Sequence, residues 1–204
     1  MIESLDTAVR NHTGQFICVE INKDQNTKTI PFRHAADPPV AQSMVPNIPG
    51  LSEFYSTFGS LTLFLDEESG ESAFFIADPD QWERLRGDFE LWLEGMAEDD
   101  IAESLPEGVT EYLVVGEVPH SGNYLLVSST GARAGLVFEF EHDGFEFIEL
   151  GATLPEFVAK MLDLDAHQLT NIASHLRFTL PNEKRQWWIQ ELRDNRGNII
   201  RTEV

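Results

Sequence analysis

Residues 112–150, YLVVGEVPHSGNYLLVSSTGARAGLVFEFEHDGFEFIEL, alternate apolar and polar side chains in short runs separated by small polar clusters. Alternation of period two predicts strands, and Gly122-Asn123, Gly131 with Gly135, and Asp143-Gly144 predict the turns between them. The stretch therefore reads as a four-strand antiparallel meander. Its last hairpin can be written out in register, because a two-residue Asp143-Gly144 loop sets Phe140 opposite Phe147 and His142 opposite Phe145. Phe138, Phe140, His142, Phe145 and Phe147 then share one face. Glu141 falls opposite Glu146 on the other, with Glu139 nearby. Like charges set opposite one another disfavour a sheet unless solvent or a cation screens them. This strip is a candidate contact surface, and its plainer reading is a solvated face.

Outward from the meander, the pattern predicts further elements on both sides. Leu51, Phe54, Tyr55 and Phe58 fall at helical spacing with Gly59 as the stop. Leu61–Leu65 and Ser72–Ala77, around the acidic turn Asp66–Gly70, read as a hairpin. Asp78-Pro79-Asp80-Gln81 is a helix start, with a side-chain cap and Pro at the first helical position. Trp82, Leu85, Phe89, Trp92 and Met96 follow it as one stripe, read as core packing. Leu154, Phe157, Val158, Met161 and Leu162 mark another helix, extended by Asp165 to Leu176. Strands are expected at both ends: on either side of a polar turn at Asn22 to Asn26, and at Arg177–Leu180, Gln186–Arg193 and Asn198–Thr202. The prolines between His34 and Pro49 mark a linker. Segments 1–37, 45–176 and 177–204 are thus read as an N-terminal strand extension, a core domain, and a C-terminal strand extension packing on the core or on the N-terminal strands.

The 204 residues carry 14 basic and 35 acidic side chains, a formal net charge of −21. Nucleic-acid binding depends on Lys and Arg, so this balance argues against a phosphate-backbone partner. The acid is also concentrated: residues 53–117 hold 18 carboxylates against Arg84 and Arg86, whereas residues 177–204 hold six basic and four acidic side chains. A field of that sign suits a basic partner. No run approaches the length of a membrane span, and the N-terminus lacks a signal-peptide pattern, so a soluble cytoplasmic protein is expected. The single Cys18, set in FICVEI, reads as a buried inert thiol.

Catalytic motifs are not evident. None of His12, His34, His120, His142, His167 and His175 stands in a zinc-ligand spacing. His120, His142 and Asp143 could meet at one end of the meander and bind a metal for hydrolysis, a low-ranking alternative. Ser121-Gly122 lacks the nucleophile-elbow context. The glycines near residues 131–135 precede a strand, which rules out a phosphate loop opening a helix. No cofactor is expected.

The order of these pieces resembles the SUKH superfamily, which includes yeast cell-wall synthesis regulators and bacterial immunity proteins. The residues carrying the likeness are Ile48-Pro49, Phe54-Tyr55 leading into Phe58-Gly59-Ser60, Trp82 in the Asp78-Pro79 helix, Gly116-Glu117-Val118-Pro119 through Ser121-Gly122-Asn123, and Gly135 to Phe140 followed by His142-Asp143-Gly144. It covers residues 45–162. The resemblance implies an α+β fold with a central antiparallel sheet flanked by helices, and action by protein binding without catalysis. In bacteria it implies an antidote to a cognate toxin domain, often one that handles nucleic acid. The alternative within the fold is a regulatory scaffold for an endogenous cytoplasmic protein. The residues offered to the partner are Glu139, Glu141, Glu146, Asp143, His142 and His120.

Overall fold

The computed structural model describes residues 4–20, 23–39, 41, 44–179 and 184–203. In chain order these form α1 (Leu5–Asn11), β1 (Gly14–Glu20), β2 (Lys23–Ala36), α2 (Leu51–Tyr55), β3 (Leu61–Leu65), β4 (Phe74–Ile76), α3 (Trp82–Glu90), α4 (Glu98–Ser104), β5 (Tyr112–Val118), β6 (Asn123–Ser128), β7 (Val137–Glu141), β8 (Glu146–Gly151), α5 (Leu154–Met161), α6 (Ala166–His175), β9 (Arg177–Phe178), β10 (Trp187–Asp194) and β11 (Ile199–Arg201). The class is mixed α+β with antiparallel strands. No helix among the described residues is long and apolar enough to cross a membrane.

Local chemistry accounts for the helix ends. Asp78 accepts the Asp80 N–H at 3.0 Å and Pro79 opens a single 3-10 turn that runs into α3. Asp165 and Gln168 cap each other's backbone N–H groups at the start of α6. Ser4 caps α1, a helix at the head of a segment expected to be a strand extension. The aromatic stripe does not continue as one helix: α3 ends at Glu90, Leu91–Leu93 form a 3-10 turn, and Trp92 emerges 45% exposed. The helix from Leu51 stops at Tyr55, short of Gly59. β2 already begins at Lys23, so Asn26 lies in a strand and not in the expected turn, while Asn22 falls outside the described residues, as does Leu180.

The chain forms two compact units, each discontinuous in sequence: residues 1–35, 62–74 and 161–204, and residues 36–61 and 75–160. In the first, the strand order is β11-β10-β1-β2-β3, with β9 also pairing β10. Gly14 pairs with Asp194 and Glu20 with Trp187, so β1 is held by the far end of the chain. Phe16, Phe32, Phe64 and Phe178 pack within this unit, with Phe16 ring centroids 4.9 to 6.0 Å from the other three. Cys18 is fully buried, and burial pushes its thiol up to about 12, out of nucleophilic range. Beside the rings lies a chain of polar groups. The Phe64 N–H donates to His34 Nδ1, which leaves His34 Nε2 as the hydrogen donor to His12 Nδ1 at 2.9 Å. His12 then carries its hydrogen on Nε2, 3.5 Å from Asp194 Oδ2, at the long limit for a hydrogen bond. Both histidines are buried.

In the second unit the order is β4-β5-β6-β7-β8. Phe140 falls opposite Phe147 and Glu141 opposite Glu146 as expected, with an irregularity between Val137 and Phe138. His142 to Phe145, however, form a four-residue turn in which Phe145, and not Gly144, takes a positive φ of +54°, so the expected two-residue loop and His142–Phe145 pair do not form. On one face Val114, Leu126, Phe138 and Phe140 pack with Leu85 and Phe89 of α3. Phe145 and Phe147 join this cluster half-buried, and the Phe140 ring lies 5.1 and 5.3 Å from theirs. The opposite face is covered along its middle, where Leu125 and Val137 are wholly buried, and open toward the hairpin tip, where Ile148 is 38% exposed.

Candidate functional site

That partial cover separates the carboxylates proposed from sequence. Glu139, level with Leu125 and Ile148, is only 6% exposed, so it does not belong to a solvated strip with Glu141 and Glu146. Asn123 Nδ2 donates to its Oε1 at 2.8 Å. Burial raises its carboxyl to about 7, the Asn123 hydrogen bond works in the other direction, and the Glu141 charge adds to the rise. Asn123 Oδ1 in turn accepts the His142 backbone N–H at 3.2 Å and lies 2.9 Å from His142 Nδ1. An amide oxygen only accepts, so His142 carries a hydrogen on Nδ1. His142 Nε2 faces Asp143 Oδ1 at 3.0 Å. A line of polar groups thus runs from the buried Glu139 to the surface Asp143.

Trp92 completes the cluster, its ring 4.7 Å from that of His142. Gly122, at φ +85°, lies under both rings, and a Cβ there would sit about 2.9 Å from Trp92 and 3.2 Å from His142. Glycine is therefore required for the close approach as well as for the turn. The sequence reading grouped Trp92 with the core stripe. The signal it lacked is that α3 stops before Trp92.

Glu141, half-buried, closes the hairpin turn: its two carboxylate oxygens accept the Asp143 and Gly144 N–H groups at 3.2 and 2.6 Å. Glu146, opposite, is exposed. The ligand atoms of Glu141, His142 and Asp143 lie within 4.8 Å of one another. His120, exposed at φ +62°, is not in this group, so the trio His120, His142 and Asp143 weighed for a metal is not the one that meets. With both Glu141 oxygens engaged by the turn and His142 held by Asn123, the arrangement fixes a surface loop.

The densest acid lies elsewhere in the unit. Glu94, Glu98, Asp99, Asp100, Glu103 and Glu107, on α4 and its flanks, are all exposed. The two cations nearby in sequence are engaged locally, Arg84 with Asp88 at 2.8 Å and Arg86 with Glu90 at 2.7 Å. Pairs of this spacing hold the cations on α3; none of the six carboxylates on α4 and its flanks is ion-paired among the described residues.

Compared with protein-family models, with curated proteins and with solved structures, the chain matches none.

Proposed function

We propose that this protein acts by binding a basic protein partner, and that it is an immunity protein of the SUKH type, working in the cytoplasm to neutralise a cognate toxin domain. The observation that carries the reading is the acid of α4 and its flanks, six exposed carboxylates between residues 94 and 107 that no ion pair among the described residues engages. A toxin domain that handles nucleic acid presents a basic face, and a rigid acidic surface takes the place of its polyanion. The resemblance over residues 45–162 supports the same fold and role, including helices on the faces of the sheet. The hairpin cluster at Glu141, His142, Asp143 and Glu146 extends the acidic surface, with His120 on a neighbouring turn, while Glu139 supports it from inside.

The test is to recover the tagged protein from its native cell at low salt, identify a partner bound in equal amount, and express that partner alone and with this chain. Growth arrest by the partner, relieved by co-expression, is the expected result. A partner that causes no arrest would replace immunity with the regulatory scaffold. Failure to recover any stoichiometric partner at low salt would overturn protein binding.

A further inference from the structure

Between α3 and β5 runs a groove of about 670 Å³. Trp82 and Tyr112, both half-buried, give it aromatic walls, and the wholly buried Phe89 meets Tyr112 edge to face at 5.9 Å. Glu83, Glu90 and Glu111 line it with carboxylates, against the single guanidinium of Arg86. Aromatic faces attract cations through the ring quadrupole, and carboxylates fix the cation in place. Apolar walls alone would suit an apolar side chain; three carboxylates along them do not.

From this combination we infer that the groove receives an arginine or lysine side chain of the protein partner. The inference rests on the protein-binding reading above and names one contact for it. Arg86 shows the chemistry within the chain itself: its Nε donates to Glu90 at 2.7 Å while two-thirds of the side chain stays exposed. It is a rim group that an incoming guanidinium displaces from Glu90, and it competes with the partner for the site.

The test uses the full chain and a short peptide of alternating arginine and glycine, titrated by calorimetry at about 0.01 M salt, where exposed charges are little screened. A glutamate-glycine peptide serves as the control. The arginine peptide is expected to bind and the glutamate peptide not. Tyr112→Leu should weaken binding about fivefold, the order expected for one cation–aromatic contact. Glu111→Gln should weaken it as well, and Arg86→Ala should tighten it by freeing Glu90. Asp163→Asn removes the same charge at an exposed position outside both the groove and α4, and should leave affinity within about twofold. Should Tyr112→Leu melt at the assay temperature, the Glu111→Gln and Asp163→Asn pair decides the matter, since both are surface changes.

Equal losses for those two variants would overturn the groove and leave a diffuse acidic surface as the binding site, with the protein-binding reading intact. An arginine peptide that fails to bind overturns the groove too, while the reading itself is decided by recovery of the native partner. Preference for the glutamate peptide would reverse the assigned chemistry.

Discussion

The Phe64 backbone N–H donates to His34 Nδ1 at 3.1 Å, and Phe64 holds φ at +56°, a left-handed conformation that costs a bulky residue energy. His34 therefore fixes a strained position in β3 as well as supplying a link in a buried polar chain. Replacing it by leucine leaves two buried groups without partners, the Phe64 N–H and His12 Nδ1. A loss of about 2–4 kcal/mol is expected in urea unfolding. A loss below about 0.5 kcal/mol, the range of ordinary surface changes, would show that the chain contributes little to stability.

Acid should act through the same residues. Burial holds His34 down to about 3, with the charges of His12 and Arg196 adding to the effect, and burial lowers His12 in the same direction. Below pH 6.5 the unfolded chain binds protons that the folded chain refuses. The contribution of His34 is therefore complete above pH 6.5 and lost as pH falls toward 3, with a limiting slope of about 1.4 kcal/mol per pH unit. A series of urea midpoints from pH 7 to pH 4 checks this, and His34→Leu should flatten it. The same slope in both proteins would place the sensitivity elsewhere.

Glu139 should respond in the opposite sense. Its folded carboxyl is raised to about 7 from an ordinary 4.5, so the fold favours the proton. Its contribution is present below pH 4.5 and declines as pH rises through 7. Glu139→Gln, which still accepts from Asn123 and carries no charge, should stabilise by about 1–3 kcal/mol at pH 8 and by little at pH 4. Equal effects at the two pH values would mean that the carboxylate is not the penalised species.

Phe140 and Phe147 face each other but are not equally enclosed. Phe140 is wholly buried against Phe89, so Phe140→Ala should cost about 3–5 kcal/mol. Phe147 is half-buried, and its truncation should cost about 1–3 kcal/mol, in proportion to the area it removes from water. Melting curves in the reverse order would show that the hairpin tip carries more of the packing than its exposure implies.

Charge reversal separates binding from folding. Glu146→Lys should leave the fold unchanged, whereas Glu141→Lys forfeits two turn hydrogen bonds and about 1–2 kcal/mol. Reversing Glu98, Asp99 and Asp100 together should slow association with the native partner, most at low salt, because the screening length shrinks from about 30 Å to about 10 Å between 0.01 and 0.1 M. Stopped-flow rates indifferent both to salt and to these reversals would reduce the acidic surface to a solubility device.

Much of the second unit was legible in sequence because its partners are neighbours. Asp143-Gly144 marked the turn that sets Phe140 opposite Phe147, although the turn takes four residues and not two, and Asp78-Pro79 located the start of α3. What failed depended on tertiary context. Period-two alternation gave the face on which Glu139 lies, yet not that the middle of that face is covered. α1 contributes one buried apolar residue, Val9, and α4 contributes none, so neither could show a stripe. The groove of Trp82 and Tyr112 brings together residues that periodicity treats separately. The pairing of β1 with β10 is one of the two packings the sequence left open to the C-terminal strands, and its register carries no local signal.

That last pairing has a consequence for the order of events during synthesis. Residue 14 meets residue 194, so β1 leaves the ribosome about 180 residues before its partner exists. The β5–β8 meander, built of consecutive strands, can close as soon as it emerges. Until β10 emerges β1 can pair only on its β2 side, and its other edge is a nascent-chain surface open to misassembly.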